Sequence, residues 1–309
     1  MTKKIIITGA TGLIGRKLSK ALIDRGYDII IFSRNVSNAK TEIPGAYKYV
    51  PWDYKKPDQW QNEINEVYAV IHLAGANVFS RRWNTSYKDS ILKSRTISTG
   101  NLVNAIKNST VKPSVFISSS AVGYYGDKGN LLIDETSLSG EDFLASVCRK
   151  WEEEANQIEK IGVRNVLVRT GIVLNTNEGA LKQMLLPFKL FLGGPIGNGK
   201  QWFPWIHIDD IVGTYLFSLD NTLIKGPVNA ASPNPVLMKE FARILGVVLH
   251  RPYLFSVPKF ILRIVLGEVA NVVTASQNIY PKKLIENNYI FKFDNVRTAL
   301  EDLLEKKMS

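Results

Sequence analysis

The 309-residue chain is 45% apolar and 22% charged, the balance of a water-soluble globular protein rather than a disordered, fibrous or membrane-spanning one. Its 39 Lys and Arg against 28 Asp and Glu give a net charge of +11. The cations are scattered, so a solvated basic surface that attracts an anionic cofactor and substrate is expected, with no nucleic-acid partner. A single cysteine, Cys148, excludes a disulfide within the chain and fits a reducing compartment. Met1-Thr2-Lys3-Lys4 runs straight into an apolar segment, and the best membrane candidate, Phe260 to Val273, is broken by Arg263 and Glu268. Neither a leader nor a membrane partner is therefore expected, and the cytoplasm is the default location.

The chain opens on Lys4-Ile5-Ile6-Ile7-Thr8, a run without alternation that suits a strand buried on both faces. Gly9 to Gly15 form a glycine-rich turn, and Ile14, Leu18 and Leu22 then fall on one helical face. Further strands are expected at Asp28–Phe32, Tyr47–Asp53, Ala69–Gly75, Val115–Ile117 (running on to Ser120) and Asn165–Arg169. Helices are expected from about Ser86 to Lys107 and from Asp142 to Ile161. This alternation predicts an α/β fold, a doubly wound parallel sheet of the Rossmann type. After Gly171 the pattern loosens into a helix from Gly179 to Leu192, a glycine-rich loop at 193–199, and Trp205–Asp210 leading into a helix that returns to the sheet. From about Pro227 short helices alternate with proline-punctuated loops. The predicted division is a nucleotide-binding domain over 1–175 and a lobe for a small-molecule substrate over most of 176–309, with 206–222 returning to the first domain.

In Thr8-Gly9-Ala10-Thr11-Gly12-Leu13-Ile14-Gly15 each glycine has a physical task. Gly9 permits the tight turn, Gly12 lets a pyrophosphate approach the backbone, and Gly15 lets the helix lie close on the strand. The free N–H groups and the helix dipole favour phosphate there. The second strand ends at Ser33-Arg34, where a carboxylate would select NAD. A guanidinium and a hydroxyl can instead hold a 2′-phosphate, so NADP is favoured. Asp53 is placed to meet the adenine, and Leu73-Ala74-Gly75 would let the cofactor ribose lie close to the backbone.

The glycine turn resembles that of the short-chain dehydrogenases/reductases, and the resemblance implies a tyrosine with a lysine four residues later on one helix, a spacing that brings the two side chains together. The expected helix, Phe143 to Glu152, offers no tyrosine in any register. The one Tyr-x-x-x-Lys, Tyr124 to Lys128, contains Gly126-Asp127 and reads as a turn, so its spacing is coincidental. Ser120, or Ser119, and Tyr124 remain as candidates for binding substrate and moving a proton. Strand-end hydrogen bonding is the plainer reading of the serines. His72, His207 and His250 lack ligand spacing, and no metal is expected. Cys148 reads as packing, Glu152 to Glu154 as a solvated face with Trp151 turned inward, and Trp202, Phe203 and Trp205 as a pocket wall.

The glycine motif resembles that of the extended short-chain dehydrogenases/reductases. Arg82-Trp83-Asn84, Ser94-Arg95, Leu185-Leu186-Pro187-Phe188, Gly193-Gly194-Pro195-Ile196-Gly197 and Gln201 to His207 resemble an atypical subgroup of them, the YfcH-like epimerase family proteins. Leu262 to Glu268 and Pro281-Lys282-Lys283-Leu284 resemble that group's C-terminal extension, about 250–300. The resemblance covers nearly the whole chain. It implies an NADP site using Ser33, Arg34, Leu73, Ala74, Arg95 and Val173, and a group in which the tyrosine–lysine pair is commonly missing. The expectation is an NADP-dependent oxidoreductase or epimerase of unidentified substrate, the alternative an NADP-binding sensor or scaffold without turnover.

Overall fold

A computed structural model describes residues 3–305; Met1 and Thr2, read above as the approach to the first strand, lie outside them. Seven parallel strands form the sheet: β1 (Lys4–Thr8), β2 (Asp28–Ser33), β3 (Lys48–Pro51), β4 (Ala69–His72), β5 (Val115–Ala121), β6 (Arg164–Thr170) and β7 (Gly226–Ala230). Their order is β7-β6-β5-β4-β1-β2-β3. Ile5 pairs with Ile29 on one side and Ala69 on the other. Alternate isoleucines of β1 face opposite layers, which is why the run carries no polar residue. Ile5 and Ile7 join a core with Leu18 and Leu22 of α1 (Leu13–Asp24), whereas Ile6 joins the opposite core with Trp60, Leu102 and Ile106.

The other helices follow in order. Asn35 caps α2 (Val36–Glu42), a helix not expected from the sequence, by accepting from the Asn38 N–H at 3.0 Å. Next come α3 (Thr85–Asn108), α4 (Phe143–Asn156), α5 (Gly179–Lys189) and α6 (Ile208–Asp220). A 3-10 turn over Gln157–Ile161 continues α4. α5 stops at Lys189 rather than Leu192, because Phe191 adopts a φ of 62° and turns the chain away. α6 lies against the sheet, where Ile211 and Tyr215 share a core with Leu18 and Leu22 of α1. The chain continues through α7 (Met238–Leu249), α8 (Lys259–Leu266), α9 (Val269–Val273), α10 (Lys282–Glu286) and α11 (Val296–Glu305), the stretch assigned above to a second lobe.

One correction concerns Pro227. The stretch read as the start of the small lobe is instead the edge strand β7, paired with β6 from Gly226↔Val166 to Ala230↔Thr170. An edge position tolerates proline, and the short Gly-Pro-Val-Asn-Ala lacks the β-branched run that marks the central strands. A second correction concerns the aromatic wall. Trp205 is fully buried and Phe203 nearly so, in the core that also holds Phe241 and Leu300, and only Trp202 is partly open. The sheet and the lobe thus share one core.

Candidate cofactor cleft

Because all strands run parallel, their carboxyl ends lie along one edge, and β1 has β4 on one side and β2 on the other. Ligands of doubly wound sheets bind at that switch point. The β1–α1 turn lies there with Gly9 at a φ of 68°, its amide neighbour closed by a Gly12 N–H to Gly9 carbonyl bond of 3.0 Å. A Cβ on Gly9 would stand 2.8 Å from the Ala74 nitrogen, and one on Gly15 2.4 Å from the Gly9 carbonyl oxygen. Both glycines are compelled by backbone approach. Gly12 differs: an added Cβ meets only the Gly9 oxygen, at 3.3 Å, so its open side faces the cleft. Gly12 is also the N-cap of α1, with no side-chain cap and no acidic residue in the first turn. The N–H groups of Leu13 and Ile14 are therefore available to an anion. Thr11 turns its carbonyl to Arg16, and Leu13 lies with Val173 beside Gly179.

Ser33 and Asp53 come together at the ends of β2 and β3, joined by a Trp52 N–H to Ser33 carbonyl bond of 2.9 Å. The Ser33 hydroxyl bonds to the Asn35 carbonyl at 3.0 Å, and the Asp53 carboxylate accepts from the Lys55 N–H at 3.0 Å. Arg34 projects into solvent, and among the described residues nothing pairs with its guanidinium.

Arg95 of α3 lies beside the end of β4. A Cβ on Gly75 would be 3.0 Å from its guanidinium carbon, which stands 5.0 Å over the Trp151 ring. Nη1 donates to the Ala76 and Ile91 carbonyls, both at 3.0 Å. Desolvation lowers its pKa, and no carboxylate contacts it among the described residues. It is thus a half-buried cation held by carbonyls at the rim of the cleft. Next to it Cys148 is buried, and burial pushes its thiol up to about 12, which fits packing. His72, also in this layer, bridges Thr8 at 2.6 Å and Ser98 at 3.0 Å, and burial holds it neutral with a pKa of about 3.

The ends of β5 and β6 carry a network that was not legible in advance. Ser120 is buried and donates to Glu152 Oε1 at 2.6 Å. Arg169 holds the same carboxylate from Nε at 2.9 Å and Nη2 at 2.7 Å, and bonds the Tyr125 hydroxyl at 2.8 Å. Tyr125 donates to Asn229 of β7 at 2.7 Å, and the Asn229 N–H reaches Glu135 at 3.0 Å. Burial alone would lower the Arg169 pKa; the Glu152 carboxylate overrides it and raises it above the ordinary arginine value. Glu152 is therefore not on a solvated face. It recurs four residues after Cys148 and three before Ala155 on the inner side of α4, a spacing that marks it as inward. Trp151 is buried, as expected.

Tyr124 lies on the 3-10 turn Val122–Tyr125, partly exposed, with the Arg169 guanidinium 3.5 Å from its ring centroid. Lys128 is directed away, to the Ser139 carbonyl at 3.3 Å, so the two residues form no pair. Ser119 is bonded to Tyr215 at 2.6 Å. Of the candidates, the structure gathers Gly9 to Gly15 with Leu73, Ala74, Gly75 and Arg95 around the switch point. Ser33, Arg34 and Asp53 flank it on one side, Ser120 and Tyr124 on the other. A cavity of about 400 Å³ runs along α1 from Leu13, between Arg16, Lys20, Glu42 and Asn177.

Comparison with known proteins agrees with this geometry. Residues 5–147 match the family model described as the NAD dependent epimerase/dehydratase family, and 257–303 match a domain of unknown function. The "Epimerase family protein SDR39U1 homolog, chloroplastic" of Arabidopsis thaliana is 40% identical over 97% of this chain and 86% of its own length. The epimerase family protein YfhF of Bacillus subtilis is 36% identical over 97% of both. Among solved structures, human epimerase family protein SDR39U1, crystallised with NADPH, superposes with a TM-score of 0.87 at 30% identity, covering 98% of this chain and 99% of that one. UDP-N-acetylglucosamine 4-epimerase of Bacillus cereus, at 19% identity over the full length of both chains and a TM-score of 0.79, shares the fold. By sequence and by architecture the chain belongs to the NAD-dependent epimerase/dehydratase family, among its SDR39U1-like epimerase family proteins.

Proposed function

We propose that the chain binds NADP(H) across the switch point and carries out an oxidoreductase or epimerase reaction on a small molecule. The observation that carries the cofactor choice is the end of β2: Ser33 followed by an unpaired, exposed Arg34, with no carboxylate where NAD would require one. The open side of Gly12 and the uncapped start of α1 fit a pyrophosphate, and the human relative solved with NADPH supports the same reading. Bound NADP(H) supplies or accepts a hydride. A proton must be managed beside it, and Tyr124 is the candidate to move it. Ser120 donates its hydrogen to Glu152, so its oxygen meets a substrate as an acceptor. Arg95 offers a fixed cation to a phosphate of the cofactor.

A second reading, an NADP-binding sensor without turnover, is favoured by α4. Its positions carry Phe143, Leu144, Val147 and Cys148 where a tyrosine and lysine would act. Two measurements separate the readings. By calorimetry NADPH is expected to bind more tightly than NADH, with Arg34→Ala losing most of the difference, about 1.5–3 kcal/mol for a charge-assisted phosphate contact. Equal affinity for the two cofactors ends the NADP assignment. NADPH absorbance followed over carbonyl and nucleotide-sugar panels then decides turnover, which Tyr124→Phe should impair and Cys148→Ala should spare.

A further inference from the structure

The second lobe carries an apolar face that the chain leaves uncovered. No residue of α8 is buried; Phe260, Ile264 and Val265 are 64, 68 and 62% exposed. At about 100° per residue, Phe260, Ile261, Ile264 and Val265 share one outward arc; Arg263 lies beyond one edge of it, and Lys259 stands on the opposite side at the first turn, where only its long side chain can reach round. This helix is amphipathic with its apolar side toward solvent, the reverse of a helix that packs on a core. The segment leading into it lies along the glycine-rich loop, through Phe255 N–H to Gly193 carbonyl and Val257 N–H to Pro195 carbonyl bonds, both 3.1 Å. That contact brings exposed Leu254 and Phe255 toward Leu190 and Phe191 at the end of α5, where Arg251 caps the Phe191 ring at 4.6 Å. The patch is therefore assembled from two segments distant in sequence.

Its charge decides what covers it. Residues 179–200 and 250–267 hold Lys182, Lys189, Lys200, Arg251, Lys259 and Arg263 and not one Asp or Glu. Among the described residues no carboxylate pairs with any of the six. A second copy would set six uncompensated cations against six more. A surface of lipid phosphates supplies the missing anions and takes up the apolar side chains, while the long cationic side chains reach the headgroups. No helix among the described residues is long and apolar enough to cross a membrane, so the contact is with the surface.

We propose that this face, centred on α8 and the end of α5, docks the protein on an anionic lipid bilayer. The proposal is independent of the cofactor reading. The test is co-sedimentation of the full chain with vesicles of phosphatidylcholine alone and of phosphatidylcholine mixed with phosphatidylglycerol. Binding is expected to the mixed vesicles only, to weaken as salt is raised, and to fall about tenfold or more in Phe260→Glu/Ile264→Glu and in Lys259→Glu/Arg263→Glu. All four residues are exposed, and circular dichroism checks that each variant is folded. Failure to sediment with mixed vesicles overturns the proposal. So does binding that both double variants retain, which would place it on another surface. A dimer seen by light scattering and dissociated by Ile264→Glu would assign the face to a second copy instead.

Discussion

The two flanks of the sheet treat their polar groups in opposite ways. On the β1–β2 side the strand ends leave them unengaged: Gly12 exposes the first N–H groups of α1, and Arg34 has no partner among the described residues. On the β5–β6–β7 side the groups satisfy one another, from Ser120 through Glu152, Arg169 and Tyr125 to Asn229. The first flank keeps groups to which an anion can bind; the second satisfies its own groups and holds the strand ends at a fixed spacing. A cleft needs both, one wall to bind and one to stay still.

The largest expected effect breaks the self-sufficient wall. Arg169→Leu leaves Glu152 as an unpaired carboxylate among buried groups and should cost about 3–5 kcal/mol in urea unfolding. Glu152→Leu/Arg169→Leu, which removes both charges, should cost less. Equal losses would mean the network acts by packing alone. Gly12→Val acts on the open wall. Its φ of −78° accommodates valine, so the fold should survive while NADPH affinity falls by at least about a hundredfold. Unchanged affinity in a folded variant would place the phosphates elsewhere.

The contrast between these walls also bears on what the amino-acid sequence discloses. Strands β1 to β6 could be recognised from apolar runs, and the Gly9–Gly15 turn from spacing, because burial on both faces and close backbone approach restrict the residue types allowed. Arg34 could be singled out because it follows directly after its strand, where the residue type bears on the choice of cofactor. The self-satisfying network escaped because its members lie on β5, α4, β6 and β7, and only tertiary structure makes Glu152 and Arg169 neighbours. β7 escaped for a related reason, being an edge strand defined by its partner rather than by its own five residues. Arg95 was singled out only by resemblance, since one of its two carbonyl partners, Ala76, comes from a different segment and the cleft beside it is formed by tertiary structure.

A third experiment probes the layer between the walls. His72 is held at about 3 by burial, against about 6.5 in an unfolded chain. As pH falls below about 6.5 the unfolded chain takes up a proton that the folded imidazole refuses. The stability this residue protects is whole above that value and is lost towards pH 3. Between pH 7 and 5 the advantage of the native chain over His72→Gln should shrink by about 2 kcal/mol in urea titrations. A pH-independent difference would mean that His72 titrates normally. The smallest effect is expected at Lys128→Ala, within about 0.5 kcal/mol in stability and unchanged in NADPH affinity. A marked loss of turnover there would restore Lys128 as the partner of Tyr124.

The position of β1 in the sheet has a consequence for how the protein is made. It lies between β2 and β4 and is synthesised before both, yet β4 begins at Ala69, roughly 60 residues later. At about 5–20 residues per second, several seconds pass in which the Ile5-Ile6-Ile7 edge has β2 on one side and nothing on the other. Such an edge is a template for pairing with another chain. A run of three isoleucines is thus left half-paired on the ribosome, and protection of the emerging unit of β1, α1 and β2 would govern how much protein reaches the folded state.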